Sequence, residues 1–287
     1  MISTLMKNFR FDRLLTLYLF YPLNNIVHKS KARIPILMYH SISDDQEKEL
    51  HPYYRINTSP EIFKDHMNYL RENNYKVINL RNIKEYYYLE NVSSAKPIVI
   101  TFDDGYRDFY TSAFPLLQKL NFTASIFLPT SFIGHSDSKL RGKEHLTWNE
   151  VRELSRAGMS FGSHTVTHPQ LATMAKEEVE DEIKLSKVII EDKLGQSIDI
   201  FSFPHKFPEA DKTFKKLLSD LLKKYGYKYG VSTRIGMTSK EDDIYFMKRI
   251  PINSGDDISF FQAKLNRGYD WLNAPQHFYK IIKRSYI

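Results

Sequence analysis

A run of apolar residues ends abruptly in two adjacent carboxylates at residues 98–106, which read Ile-Val-Ile-Thr-Phe-Asp-Asp-Gly-Tyr. The β-branched and aromatic residues that follow Pro97 predict a strand buried on both faces. Gly105 permits a sharp turn into a following helix. We therefore expect Asp103 and Asp104 at the C-terminal end of a buried strand, where α/β barrels and open α/β sheets place their active sites.

Adjacent residues at a strand end point in different directions, so one carboxylate can bind a cation while its neighbour accepts a proton. In the alternative interpretation, Asp103 or Asp104 caps a helix that begins near Tyr106, a position that Asp favours. The Asp-Asp-Gly pattern alone leaves both interpretations open.

A second apolar segment, residues 159–163, leads into His164 and His168 and then into Pro169. On one turn of helix, a spacing of four residues places both imidazoles on the same face, where they can bind one ion. A single pair with this spacing is a weak signal. Two nitrogens and one carboxylate with an open position for water are typical of a hydrolytic zinc or cobalt site.

At these residues the sequence resembles the polysaccharide deacetylases of the NodB-homology type, known as carbohydrate esterase family 4. The resemblance extends from about Ile34 to about Asn253. Three motifs carry it: T-F-D-D-G-Y at 101–106, L-T-W at 146–148 and S-H-T-x-T-H at 163–168. It implies a distorted, incomplete (β/α) barrel, and the alternation of strand-like and helix-like segments independently favours a parallel sheet wound into a barrel.

The resemblance also implies roles for individual residues. Asp103 is the expected catalytic base, and Asp104, His164 and His168 are the expected ligands of a divalent metal ion, zinc or else cobalt. The implied reaction is metal-dependent hydrolysis of N-acetyl groups from a polysaccharide or glycan intermediate that contains N-acetylglucosamine. Alternatives are the same machinery acting on O-acetyl esters or peptidoglycan, and a carbohydrate-binding protein without turnover.

The departing amine needs a proton, and histidine suits this role because its pKa lies near neutrality. The family's usual L-x-H segment is absent, and His277 lies in P-Q-H-F, which does not fit. The strand-like residues 34–39 end before His40. This Tyr-His pair resembles that of the poly-N-acetylglucosamine N-deacetylases of biofilm exopolysaccharide, which implies that His40 is the general acid. A packed strand-end histidine is the alternative.

The segment I-F-S-F-P-H at 200–205 aligns with the family's R-x-P-Y or R-x-P-F motif but has Ser202 in place of Arg and His205 in place of an aromatic residue. The Arg normally orients the base. Arg249, at the end of a later strand, can supply the guanidinium instead, or it can be a surface residue. Main-chain N–H groups around Pro204 and His205 are candidates for an oxyanion hole.

The 287 residues fit a leader, residues 1–31, and one catalytic domain, residues 32–287. The leader has basic flanks around an apolar run at 14–23, which is too short to span a bilayer. No small-x-small cleavage site follows it. An amphipathic helix on an anionic membrane surface fits this pattern, and an extra helix packed on the barrel fits it equally. A membrane or cell-envelope location is favoured, and a cytoplasmic one stays open.

Helix-like segments are predicted at residues 60–73, 106–120, 147–157, 176–194 and 208–225. The net charge of +7 and the pI of about 9.2 suit an acidic polymer or a membrane surface, although solvated Lys-rich helix faces explain much of them. No nucleic-acid motif accompanies the charge. The absence of Cys excludes disulfides and thiolate chemistry. The expected partner is an N-acetylated polysaccharide, and the sequence does not define the oligomeric state.

Overall fold

Parallel strands formed by the apolar runs build the centre of the molecule. The computed structural model describes residues 9–27, 33–88, 96–135, 139–205 and 211–273. The strands are β1 Ile36–Tyr39, β2 Ser41–Ile42, β3 Asn57–Thr58, β4 Tyr75–Val77, β5 Lys96–Phe102, β6 Ser125–Leu128, β7 Ser160–Ser163, β8 Ile200–Ser202, β9 Tyr229–Ile235 and β10 Met247–Pro251.

Helices surround these strands, as expected where parallel strands need crossover connections. The helices of the described residues are α1 Phe11–Leu15, α2 Tyr21–Val27, α3 Pro60–Glu72, α4 Ile83–Tyr86, α5 Phe114–Lys119, α6 Trp148–Arg156, α7 Lys176–Leu194, α8 Lys212–Lys224 and α9 Ile258–Leu265. π-Helical turns at Thr16–Phe20 and Phe109–Ala113 precede α2 and α5.

Seven of the strands close into a parallel barrel in the order β1-β10-β9-β8-β7-β6-β5, and the ring is completed where β5 pairs with β1. In this pairing Leu37 is opposite Ile100. Strand β4 extends the sheet outside the ring by pairing with β5, and β2 pairs with β3 in a separate two-stranded sheet. The fold is therefore a distorted (β/α) barrel of seven strands, as predicted.

Side chains alternate between the inside and the outside of the barrel, because successive residues of a strand point to opposite faces. Those that face the helices form the larger hydrophobic cluster, which includes Leu37, Ile100 and Phe161. The opposite set forms a second cluster, which includes Ile36, Val99, Phe127, Ile200, Val231 and Met247. Burial on both faces explains why the sequences of these strands read as nearly continuous apolar runs.

The barrel is tight enough inside to require a glycine at position 162. A Cβ atom at Gly162 would lie 2.6 Å from the carbonyl oxygen of Ile200 and 2.8 Å from Cδ1 of Phe127. Such distances are well below van der Waals contact, so the approach of β7 to β8 depends on the missing side chain.

The predicted helices mostly match the structure. The prediction for residues 176–194 is confirmed as α7. The segment 106–120 becomes helical only at Phe109, and its first turn is a π-helix next to Pro115. Proline cannot donate the regular backbone hydrogen bond at this position. Helix α9 was not predicted, because its sequence ISFFQAKL is apolar on most faces and lacks a helical period.

The described part of the leader is helical and packs on the outside of the barrel domain. Trp271 donates from Nε1 to Oγ1 of Thr16 at 3.0 Å, and its ring stacks on Phe20 with centroids 4.7 Å apart. Tyr269 donates to Asp12 at 2.6 Å. Residues 1–8 and 28–32 lie outside the described residues, as does His277, so the predicted division at residue 32 stays a prediction.

Candidate active site and metal centre

The two adjacent aspartates follow β5 directly and are almost fully buried, with Asp103 2% and Asp104 4% exposed. Asp104 has a φ of 68° and Gly105 a φ of 59°. A left-handed backbone is uncommon for a residue with a side chain. This sharp turn directs the two carboxylates to different partners.

Asp103 forms a bidentate ion pair with Arg249. The two guanidinium nitrogens Nη1 and Nη2 donate to Oδ1 and Oδ2 at 2.7 Å each. Arg249 lies on β10 and is 0% exposed. Its other donors reach the carbonyl of Ser232 and the hydroxyls of Thr101 and Ser202, so all five N–H groups have acceptors. The interpretation of Arg249 as a surface residue is therefore wrong.

Ser202 completes this arrangement from β8. Its hydroxyl accepts from Nη2 of Arg249 at 3.1 Å and donates to Oδ1 of Asp103 at 3.2 Å. The small side chain leaves the space beside Asp103 to a guanidinium that comes from β10. The guanidinium contact with Asp103, which the family's arginine would make from position 202, is therefore made by Arg249 from another strand.

The environment of Asp103 favours its ionised form. Burial raises the pKa of this carboxyl, but the positive charge of Arg249 and the hydrogen bonds from it outweigh that effect, so the pKa lies below its ordinary value.

Asp104 faces the two histidines. Its Oδ1 lies 3.4 Å from Nε2 of His164 and 3.2 Å from Nε2 of His168. Nδ1 of His164 lies 2.8 Å from the carbonyl oxygen of Ser202, to which it can only donate. This bond assigns a proton to Nδ1 and leaves Nε2 as the nitrogen that faces Asp104 and can bind a metal ion.

The electrostatics of the cluster favour a positive charge between these three side chains. Burial lowers the pKa of His164, but Asp103 and Asp104 outweigh this and raise it above its ordinary value. Burial raises the pKa of Asp104, yet contacts with His164 and His168 hold it well below its ordinary value. Oδ1 of Asp104 is buried and accepts no hydrogen bond from the described residues.

The prediction that His164 and His168 lie on one turn of helix is wrong. Residues 164–170 form an irregular loop after β7, in which Thr165 and His168 have φ values of 70° and 57°. The imidazoles converge nonetheless, with ring centroids 4.9 Å apart. Oγ1 of Thr165 accepts from the N–H of His168 at 3.1 Å and supports this turn.

Glu182 on α7 accepts hydrogen bonds from the loop between His164 and His168. The sequence analysis did not predict this role. One carboxylate oxygen accepts from the N–H groups of Val166 and Thr167 at 2.6 and 2.9 Å. The other accepts from Oγ1 of Thr167 at 2.7 Å. No motif around Glu182 indicates this role, because two of its three partners are backbone groups.

His40 follows β1, and its Nε2 lies 4.0 Å from Oδ2 of Asp103. Burial lowers its pKa, and this effect outweighs the two neighbouring aspartates, which raise it. His205 lies next to His168 with ring centroids 4.5 Å apart. The structure thus brings together all six residues that the sequence indicated: His40, Asp103, Asp104, His164, His168 and Arg249.

Comparisons with known proteins identify the family. The model for polysaccharide deacetylases matches residues 90–230. The Bacillus subtilis protein YxkH, whose name assigns it to the polysaccharide deacetylases, is 31% identical over 233 residues, which cover 81% of this chain and 76% of YxkH. The chain belongs to the polysaccharide deacetylase family.

Two further proteins are similar to this chain, one in sequence and one in structure. The Staphylococcus aureus poly-β-1,6-N-acetyl-D-glucosamine N-deacetylase is 24% identical over 199 residues, which cover 67% of this chain and 66% of that protein. The structure of the Streptococcus pyogenes deacetylase PplD in complex with acetate covers 82% of this chain and 99% of its own, with 24% identity and a TM-score of 0.70. The similarity to PplD shows a shared fold and nothing more.

The residues of this polysaccharide deacetylase fit a divalent metal ion. Ligand atoms of Asp104, His164 and His168 lie within 4.8 Å of one another. Tetrahedral ligands at about 2.0–2.1 Å from zinc are themselves roughly 3.3 Å apart, and the Asp104 oxygen lies at 3.2 and 3.4 Å from the two imidazole nitrogens. Oδ1 of Asp104 is buried without a hydrogen-bond partner among the described residues, which also supports a metal ion at this position.

We expect Glu182→Gln to weaken metal binding about tenfold, because outer contacts of this kind typically contribute 10- to 100-fold to metal affinity. The substitution removes the charge that orders the loop between the two histidines. Competition with a chromophoric chelator measures the zinc affinity. Glu180→Gln is the control, since Glu180 lies on the same helix and pairs with Lys224 at 2.6 Å. Equal affinities for both variants would contradict the positioning role.

We expect Arg249→Met to lose about 3–5 kcal/mol of unfolding free energy at pH 7, because it leaves a buried carboxylate without its partner. The pKa of Asp103 then rises above its unfolded value near 4, so protonation restores stability as the pH falls. In the parent chain the pKa of Asp103 is lowered, so its stabilising effect is lost only below about pH 4.

Denaturant titrations from pH 7 to pH 4 measure this effect. The difference between Arg249→Met and the parent chain should narrow steadily over that range. The double variant Asp103→Asn/Arg249→Met lacks the buried charge and should show no such narrowing. A constant difference for the single variant would contradict the account of the ion pair.

Proposed function

We propose that this polysaccharide deacetylase is a metal-dependent N-deacetylase of a polymer that contains N-acetylglucosamine. The observation that carries the proposal is the division between the two aspartates. Asp104 faces two histidines, whereas Asp103 is held ionised by Arg249 at 2.7 Å. The sequence similarity to the S. aureus poly-β-1,6-N-acetyl-D-glucosamine N-deacetylase supports the choice of substrate.

Asp104, His164 and His168 would hold the metal ion, most simply zinc, with cobalt as the alternative. When bound, such an ion polarises the acetyl carbonyl and lowers the pKa of water. Asp103 then acts as the general base that takes a proton from the attacking water. Arg249 and Ser202 keep this carboxylate ionised and fix its orientation.

His40 is the proposed general acid. Its lowered pKa favours the neutral imidazole and makes the protonated form a stronger acid than an ordinary imidazolium. Asp103 gains a proton as attack proceeds and lies 4.0 Å away, so a small side-chain movement can pass this proton to His40. His40 then donates it to the departing amine, which cannot leave as an anion.

The hypothesis of a carbohydrate-binding protein without turnover rested on Ser202 in place of the usual arginine. Arg249 makes the contact with Asp103 instead, so this feature no longer favours the hypothesis. An ionised, oriented carboxylate beside a cation site is an expected feature of a hydrolase, whereas binding a sugar does not need one.

We expect acetate release from oligomers of β-1,6- or β-1,4-linked N-acetylglucosamine. Chelation should abolish it, and added zinc or cobalt should restore it. Asp103→Asn should keep its bound metal and lose activity by about 10²- to 10⁴-fold, the usual contribution of a general base. His164→Ala should lose the metal itself, because one of three ligands is removed.

Metal analysis of each purified variant, measured beside acetate release, separates these roles. Loss of the ion from Asp103→Asn would contradict the assignment of the base, and full occupancy in His164→Ala would contradict the ligand set. Release that chelators leave intact would contradict metal dependence. Activity confined to O-acetyl esters or to peptidoglycan would replace the proposed substrate by the alternative one.

We expect His40→Asn to lose activity on the amide substrate by about 10²-fold or more and on an aryl acetate ester far less. A phenolate leaves without being protonated, whereas the amine needs the proton that His40 supplies. The ratio of kcat/KM for the two substrates measures this effect, and the ester serves as the control within one variant. An equal loss on both substrates would instead give His40 a positioning role beside Asp103.

A further inference from the structure

The most exposed side chains of the leader over residues 9–24 are apolar. In this stretch every residue classed as exposed is hydrophobic or proline, namely Phe9, Phe11, Leu14, Tyr18, Leu19, Pro22 and Leu23. Tyr18 is 78% and Phe11 65% exposed. An ordinary surface helix turns its apolar face to the core and its polar face to water. Here Leu17 and Phe20 pack on the barrel domain, yet the most exposed side chains are apolar as well.

The polar residues of the same stretch are turned toward the barrel domain. Arg10 donates to Asp12 at 2.7 Å and to the carbonyl oxygen of Pro52 at 3.4 Å, and Arg13 pairs with Asp257 at 2.6 Å. Asn24 donates to the carbonyl of Arg267 at 2.8 Å. Together with the bonds of Asp12 and Thr16 to Tyr269 and Trp271, these contacts fix the helix in an orientation that leaves the apolar side chains named above exposed.

The concentration of apolar surface is local. The described residues contain eleven large hydrophobic side chains that are exposed, and six of them lie in this one stretch. Single exposed apolar residues are normal, but a contiguous patch marks an interaction surface. We call the patch formed by Phe9, Phe11, Leu14, Tyr18, Leu19 and Leu23 the leader face.

We propose that the leader face binds the surface of an anionic phospholipid bilayer. Helices of this kind lie in the interfacial plane with Phe, Leu and Tyr side chains inserted among the acyl chains. The described helices include none that is both long and apolar enough to cross a bilayer.

Charge decides between a bilayer and a second copy of the chain. The protein carries a net charge of +7, so two copies repel each other, whereas an anionic bilayer attracts each one. The only acidic residue of the stretch 9–24 is Asp12, which is paired with Arg10 and turned inward. Lys7, Lys29 and Lys31 flank the stretch in the sequence but lie outside the described residues.

Vesicle cosedimentation of the full-length chain tests the proposal, with phosphatidylglycerol–phosphatidylcholine vesicles beside pure phosphatidylcholine ones. The test variant is Tyr18→Ser/Leu19→Ser, with residues 78% and 45% exposed. The matched control is Tyr88→Ser/Leu185→Ser, with residues 77% and 44% exposed. We expect the parent chain and the control to bind the anionic vesicles and the test variant to bind about tenfold more weakly.

All three proteins should release acetate equally from a soluble oligomer, since these residues lie outside the active site. Their deacetylation activity does not enter the vesicle result, so failure of the proposed function leaves this test intact. A parent chain that stays in solution with every vesicle would overturn the proposal, as would equal losses in the two variants. Equal binding to neutral vesicles would overturn the anionic requirement. If the parent chain is a dimer that does not bind vesicles, and only Tyr18→Ser/Leu19→Ser converts it to a monomer, the leader face binds a second copy of the chain instead.

Discussion

The buried ion pair between Arg249 and Asp103 is the interaction on which the site depends. Asp103 follows β5 and Arg249 lies on β10, the two strands that flank β1 in the barrel, and β8 adds Ser202. A buried pair contributes little net stability when complete and costs much when broken. Its importance therefore lies in orientation and charge: it keeps Asp103 ionised and occupied, so that the neighbouring carboxylate is the one available to a cation.

Backbone conformation separates the two aspartates further. Asp104, Thr165 and His168 all have positive φ values, a conformation that costs about 1–3 kcal/mol per non-glycine residue. The surrounding contacts stabilise these turns: Thr165 bonds to His168, and Glu182 bonds to the N–H groups between the histidines. Strain of this kind persists where the structure over-determines the geometry, as it does around the predicted ligand set.

Much of the architecture could be predicted from the sequence, because strands buried on both faces leave long apolar runs that end in polar residues. The positions of Asp103, Asp104, His164 and His168 at strand ends follow from that pattern. Arg249 was a candidate because it was predicted at the end of a later strand, although it lies at the middle of β10. Its bidentate contact was not predictable, since it depends on the register between strands that are far apart in the sequence.

The histidine loop, the role of Glu182 and the exposure of the leader could not be predicted from local sequence patterns. Spacing of four residues suggested a helix for the two histidines, but a loop with two left-handed residues satisfies the same spacing. Glu182 acts through backbone partners, which any sequence provides. The apolar residues of the leader were visible in the sequence, whereas their exposure depends on Asp12 and Thr16 bonding inward to distant residues.

The separation of roles between the adjacent aspartates is most directly tested by anomalous diffraction from a crystal of the protein grown with zinc. We predict one anomalous peak about 2.0–2.2 Å from Oδ1 of Asp104 and from Nε2 of His164 and His168, with both Asp103 oxygens still bonded to Arg249. A peak bound by Asp103, or a site without Asp104, would contradict the account.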